Sequence, residues 1–201
     1  MPDALTQGPM LWYLNRGSGV ALLLVLTLTL CLGILSARGG QGRFVPRFVT
    51  QQLHRNIGLL GLVLVVGHVF TAVADTYVDI RWWQALSPAG ATYKPLWLGL
   101  GSLAFDVMLM VVLTSVLRHR LGQRAWHTLH LLGYLAWPLA LVHAVGIGTD
   151  ATTPWGREIG LACVGAVGAA VVVRTLADVW SGWRAARSSR RRRTALQQVS
   201  S

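Results

Sequence analysis

Histidine is the residue type in this chain that could carry chemistry. Five of the six histidines fall in or at the ends of long apolar stretches: His54, His68, His127, His130 and His143. Histidine is costly inside a membrane-crossing segment, so such a residue is by default a candidate functional group. A neutral imidazole can bind a metal or move a proton. The spacing is regular, since the interval from His54 to His68 is only one position longer than the interval from His130 to His143.

Five apolar stretches predict the helices that must position these histidines. The predicted spans are Ser18–Ser36, Ile57–Ala74, Leu96–Leu117, Ala125–Ile147 and Ile159–Val173. The first four are close to the roughly 20 residues that a membrane helix needs. The fifth contains only 15 residues and would be about 22 Å long. Only 12% of the residues are charged, against about 25% in a soluble domain. The sequence therefore predicts an all-α, polytopic membrane bundle of five transmembrane helices.

The net charge of +11 indicates topology. Fourteen of the 18 basic residues lie in alternate segments, between spans 1 and 2, between spans 3 and 4, and after span 5. The positive-inside rule puts these segments in the cytoplasm, with the N-terminus outside and the C-terminus inside. We expect a multi-pass protein of the cell membrane that contacts the lipid bilayer and does not bind nucleic acid.

With this topology, spans 2 and 4 both run outward and their histidines match in depth. His54 is then level with His130 near the inner surface, and His68 with His143 near the outer surface. Two histidines at one level can supply both axial ligands of a haem, so two stacked b-type haems are predicted. In a straight span 4, His130 and His143 would point about 140° apart around the helix axis. We expect Pro138 to distort span 4 and bring the two histidines closer to one face.

Several alternatives remain open at this stage. His127 competes with His130 for the inner site, and one haem could be bound instead of two. The histidines could instead form a metal or proton path, or serve the structure alone. Asp106, inside span 3, could relay a proton or bond to a neighbouring helix.

Other residues are assigned to the haems with less specificity. Arg16 and Arg55 are candidates to pair with haem propionates, or are ordinary interfacial arginines. Four glycines near the histidines could admit a flat macrocycle, or could serve close helix packing: Gly58, Gly61, Gly67 and Gly133. No internal repeat is apparent.

The chain resembles the ferric reductase-like transmembrane domain family over roughly residues 11–176. The matching residues are Trp12-Tyr13-Leu14-Asn15-Arg16-Gly17-Ser18-Gly19, His54-Arg55 with His68, and Trp126, Leu129-His130, Pro138 and His143. The family includes membrane parts of NADPH oxidases, ferric-chelate reductases and the haem-binding membrane subunit of the periplasmic methionine sulfoxide reductase system. The resemblance implies His54 and His130 for the inner haem, His68 and His143 for the outer haem, and Arg16 near the outer haem.

The chain also departs from that family. Oxidases and ferric reductases continue into a flavin- and nicotinamide-binding module, whereas here no G-x-G-x-x-G motif follows span 5. We expect an electron-transfer component of an oxidoreductase, which takes electrons from a cytoplasmic flavoprotein reductase or quinol and passes them to an outer-face acceptor. A flavin, FMN or FAD, would come from a partner or be shared with it. The alternative is a haem subunit of an extracytoplasmic reductase such as methionine sulfoxide reductase; a non-redox metal or proton transporter is the third.

The predicted organisation is one membrane domain followed by a tail. Residues 1–176 form the di-haem domain, and residues 177–201 form a basic cytoplasmic tail that we expect to be disordered. Its Arg190–Arg193 run would lie against anionic lipid headgroups. The outer segment Asp75–Pro95 would dock the acceptor or cap the interface.

Overall fold

A computed structural model describes residues 10–37, 46–75 and 78–199. These residues form eight α-helices and one 3₁₀ turn, with no strand among them: α1 Met10–Ser36, α2 Arg47–Ala74, α3 Trp82–Leu86, α4 Pro95–Val116, α5 Arg118–Leu121, α6 Gln123–Leu131, α7 Gly133–Ile147, the 3₁₀ turn Asp150–Thr152 and α8 Pro154–Val199.

Five segments are long and apolar enough to cross a membrane: Met10–Ser36, Phe48–Ala74, Pro95–Val116, Gln123–Ile147 and Pro154–Ser188. Many of their large apolar side chains are exposed, as expected where lipid is the neighbour. The predicted all-helical fold, with five segments long and apolar enough to span a membrane, is therefore confirmed.

The fourth of these segments is interrupted, but at a different residue from the one predicted. Helices α6 and α7 meet at Leu132, where the backbone N–H groups of Leu132 and Leu135 bond three residues back, to Leu129 and Leu132. Pro138 instead lies inside the continuous helix α7. Bonds of this 3₁₀ type turn the chain by about 120° per residue instead of about 100°. This overwinding brings His130 and His143 closer to the same helix face. The interruption at Leu132 thus supplies the correction that was expected from Pro138.

Helix α8 is much longer than the predicted fifth span. It contains 46 residues and so measures about 69 Å. The residues expected to form a disordered tail from position 177 continue this helix to Val199, because alanine and arginine, frequent there, favour helix. Arg174 donates from Nη1 to the carbonyl oxygen of Ile34, 3.0 Å away near the end of α1. It thereby satisfies one of the free carbonyls at a helix terminus.

The helices pack mainly in two pairs, α1 along α2 and α4 along α7, while α1 also contacts α7 and α8. Within the described residues, α2 and α7 make no extensive direct contact. A buried cluster of Leu22, Val65 and Met108 joins α1, α2 and α4. The indole N–H of Trp137 donates to Thr27 Oγ1 at 2.8 Å, which ties α7 to α1.

Candidate histidine site

The first pair of histidines, on α2 and α6, lies close together. The ring centres of His54 and His130 are 6.0 Å apart and their planes cross at 72°. A metal bound between two imidazole nitrogens, with bonds of about 2 Å, would separate the ring centres by about 6 Å. The spacing therefore suits two ligands of one metal.

The second pair, on α2 and α7, lines one cavity. His68 and His143 both contribute to a cavity of about 290 Å³ enclosed by α1, α2, α4 and α7. Its walls are mostly apolar and extend from Thr149 to Met108 in the core. This volume is near the lower end of the range for ligand pockets in proteins. The few polar groups in the cavity wall could orient a bound ligand. The structure thus brings His68 and His143 to one site.

Each of the four histidines directs Nδ1 to an oxygen on a neighbouring helix. The acceptors are the carbonyl oxygens of Thr29 for His54 at 2.9 Å, of Asn15 for His68 at 3.1 Å and of Trp97 for His143 at 2.7 Å, and the hydroxyl of Ser115 for His130 at 3.4 Å. Helix α1 serves both histidines of α2, and α4 serves those of α6 and α7.

These bonds determine which ring nitrogen can bind a ligand. At His54, His68 and His143 the partner is a carbonyl, which can only accept, and at His130 it is a hydroxyl that already donates to the carbonyl of Val111 at 2.6 Å. At each site Nδ1 therefore carries the proton and Nε2 keeps its lone pair. Among the described residues no hydrogen bond to Nε2 is seen at any of the four histidines. Metal-binding histidines almost always donate their second N–H in this way, which fixes the tautomer and raises the basicity of the ligand. The same hydrogen-bond pattern therefore leaves Nε2 of all four histidines available to a ligand.

Three glycines allow the rings to approach these carbonyls. A Cβ at Gly19 would lie 3.1 Å from His68 Cε1, one at Gly33 would lie 3.3 Å from His54 Cε1, and one at Gly101 would lie 2.5 Å from His143 Cε1. In each case the acceptor carbonyl belongs to the residue four positions earlier, one turn back on the same helix face. Without a Cβ at the glycine, the carbonyl is open from the side.

The glycines selected from the sequence have other neighbours. Gly58 and Gly61 face Thr29 and Val25 of α1, Gly133 faces Val111 of α4, and a Cβ at Gly67 would meet nothing within 4 Å. The first three therefore serve helix packing. The glycines that contact the histidine rings lie on the adjacent helices α1 and α4, not on the helices that carry the histidines. The sequence feature that could have identified the glycines of α1 is their spacing, because Gly19 and Gly33 are separated by the same interval as His54 and His68.

The opening motif Asn15 to Gly19 surrounds His68. The amide Nδ2 of Asn15 donates to the backbone oxygen of His68 at 2.9 Å and to Thr71 Oγ1 at 3.2 Å. The Ser18 hydroxyl donates to the carbonyl of Asn15 at 2.9 Å, and its oxygen lies 3.2 Å from His68 Nδ1. This motif therefore anchors α1 to α2 at the level of His68.

The predicted arginines differ in position. Arg16 lines the His68–His143 cavity, where its Nε donates to Asp150 Oδ2 at 2.8 Å and its guanidinium lies 4.0 Å from the Trp12 ring centre. Its partner within the described residues is thus a carboxylate of the chain. Arg55 is exposed beside His54, which leaves it free to meet a ligand group or headgroup.

His127 and Asp106 are the remaining candidates, and His127 is compared with His130 as the partner of His54. His127 is exposed, and its ring centre lies 6.4 Å from that of Trp126. His130 is half-buried and is the histidine that meets His54. Asp106 is half-buried in α4. The geometry thus favours His130 over His127 as the partner of His54.

Comparison with known proteins assigns the chain to a family. A family model described as "Domain of unknown function (DUF8596)" matches residues 10–150. The chain belongs to the DUF8596 family. The DUF8596 region includes all four paired histidines, the helices that hold them, and the Arg16–Asp150 ion pair, whereas α8 lies outside it. No curated protein and no solved structure matches the chain, so the resemblance to ferric reductase-like domains stays a prediction.

Proposed function

We propose that this DUF8596 protein is a di-haem cytochrome b of the cell membrane that carries electrons from a cytoplasmic-side donor to an outer-face acceptor. The observation that carries the proposal is the set of four Nδ1 bonds, which leaves Nε2 available on two pairs of histidines, one pair with neighbouring rings and one pair lining a common cavity. Two facing imidazoles are the axial ligand set that a low-spin haem takes from a helix bundle.

The pairwise arrangement favours haem over a bare metal ion. Within the described residues no group of three or more histidine, cysteine, aspartate or glutamate side chains could hold a metal. A bare transition metal generally needs three or four protein ligands, whereas a haem brings four nitrogens and needs only two. This argues against the metal-transporter alternative.

The chain's own residues would hold the haems, orient them and keep water away. His54 and His130 would hold one haem, and His68 and His143 the other, with Arg16 and Arg55 available for the propionates. When bound, the haems supply reversible one-electron chemistry, with a potential set by ligand hydrogen bonds and burial. Leu22, Val65 and Met108 form a buried apolar cluster that lines the same cavity as His68 and His143 and would keep water from the haem held there.

The donor and acceptor are proposed from the same topology. A flavoprotein reductase or quinol would deliver electrons at the His54–His130 level, and an acceptor would take them near the mouth of the His68–His143 cavity. Service to an extracytoplasmic reductase such as methionine sulfoxide reductase is the more specific form of this function, and an outer partner that co-purifies with the protein would identify it.

The test is haem content in the detergent-purified protein. We expect a low-spin b-type reduced-minus-oxidised spectrum and two haems per chain by pyridine haemochrome assay. Each single His→Ala variant at the four positions should retain one haem, while the exposed His119→Ala is the control and should retain two.

Double variants test the pairing itself. His54→Ala combined with His130→Ala should leave one haem, whereas His54→Ala combined with His68→Ala should leave none. Wild-type protein without haem bands would refute the proposed function. Equal haem content in the two double variants would refute the pairing.

A further inference from the structure

Three of the four histidine sites share one local arrangement. On α1 the acceptor carbonyls belong to Asn15 and Thr29, about four helical turns apart, and Gly19 and Gly33 each follow four residues later. On α4 the pair Trp97 and Gly101 repeats this arrangement for His143. The acceptor and the glycine thus form a unit of five residues.

The fourth unit would lie further along α4, at the same interval that separates the two units of α1. That interval leads from Trp97 to Val111 and from Gly101 to Ser115. Ser115 therefore occupies the position of the glycine at the one site where the histidine, His130, contacts a side chain instead of a carbonyl.

The contacts of Ser115 show what this substitution does. Its hydroxyl donates to the carbonyl of Val111 at 2.6 Å, so its oxygen is free to accept. The His130 ring nitrogen Nδ1 lies 3.4 Å from that oxygen, and the indole N–H of Trp126 donates to it at 3.3 Å. The serine thus stands between His130 and the carbonyl that the repeated arrangement would supply.

We infer that Ser115 is a positioning residue that links His130 to the carbonyl of Val111 through its hydroxyl, in place of the direct bond made at the other three sites. This inference rests on the proposed function. A shared hydroxyl at 3.4 Å is a weaker acceptor than a carbonyl at 2.7–3.1 Å, so His130 is the least polarised of the four ligands. The His54–His130 haem should accordingly respond to position 115.

The two smallest substitutions at this position should act in opposite directions. Ser115→Ala removes the acceptor but keeps the Cβ in front of the carbonyl, so His130 loses its partner and becomes less basic. We expect a higher midpoint potential for that haem and about 10- to 100-fold weaker retention, the usual effect of losing such a partner. Ser115→Gly opens the carbonyl of Val111 to a direct bond, which should lower the midpoint potential and preserve retention.

The experiment is redox potentiometry and haem titration of the detergent-purified chain, with haemin added to the apoprotein. Thr114→Ala and Thr114→Gly are matched controls, because the neighbouring hydroxyl also donates to the carbonyl of Val111 and, among the described residues, contacts no histidine. They correct for the effect of each substitution on the helix. The potential of the His68–His143 haem should not change in any variant.

The outcomes separate this inference from the proposed function. Shifts of opposite sign for Ser115→Ala and Ser115→Gly, beyond those of the Thr114 controls, support the link. Shifts of the same sign, or a shift confined to the His68–His143 haem, overturn it. Wild-type protein that binds no haemin refutes the proposed function itself.

Discussion

Gly101→Ala should be the most damaging of the glycine substitutions beside the histidines. A Cβ at this position would lie 2.5 Å from both Cε1 and Nδ1 of His143, whereas non-bonded carbon atoms prefer about 3.5–4.0 Å. The ring must therefore move by roughly 1 Å. That movement breaks or bends the 2.7 Å bond from Nδ1 to the carbonyl of Trp97.

The cost to the fold should be small compared with the cost to the site. Overpacking a filled interior costs about 1–3 kcal/mol, while replacing glycine by alanine inside a helix gains about 1 kcal/mol. The net loss of stability is therefore about 0–2 kcal/mol, and the chain should still fold. A ligand that loses its supporting hydrogen bond typically binds about 10- to 100-fold more weakly, so Gly101→Ala should purify with close to one haem per chain.

The assay is a haem titration and a thermal unfolding curve for a graded series. Gly19→Ala and Gly33→Ala should show milder losses, since their added Cβ atoms would lie 3.1 and 3.3 Å from the imidazole. Gly33→Ala should affect the His54–His130 haem, not the other. Gly67→Ala is the control, because its Cβ would meet nothing within 4 Å. Full haem retention by Gly101→Ala, or an equal loss in Gly67→Ala, would refute the reasoning.

Three further substitutions test individual assignments. His127→Ala should keep both haems in the absorbance spectrum, because this side chain is exposed; loss of one haem would make it a ligand. Trp137→Phe removes the indole donor to Thr27 and should lower the free energy of unfolding by about 0.5–1.5 kcal/mol, and an unchanged unfolding curve in SDS would contradict this. Asp150→Asn removes the charged partner of Arg16 and should cost about 1.5–3 kcal/mol in the same measurement, whereas a stability equal to wild type would mean that the pair contributes nothing.

The five segments long and apolar enough to span a membrane could be predicted because a membrane helix needs a long apolar run, and such runs are visible in the sequence itself. The proximity of His54 and His130 was expected from two spans that were predicted to run in the same direction. The interruption at Leu132 was not predictable in the same way. Proline suggested a distortion at position 138, but a bundle can retain a proline inside a helix, and the 3₁₀ bonds formed where no residue type demands them.

The arrangement that holds the histidines was hidden for a physical reason. At three sites the acceptor is a backbone carbonyl, which any residue type can supply, and the residues that supply it are chemically unrelated: Asn15, Thr29 and Trp97. The position four residues later is glycine at these three sites and serine at the fourth, and the chain contains 22 glycines, so these three attract no notice. The informative signal is a relation between helices. Where two histidines recur on one span about four helical turns apart, small residues at the same interval on the preceding span should mark the helix that orients them.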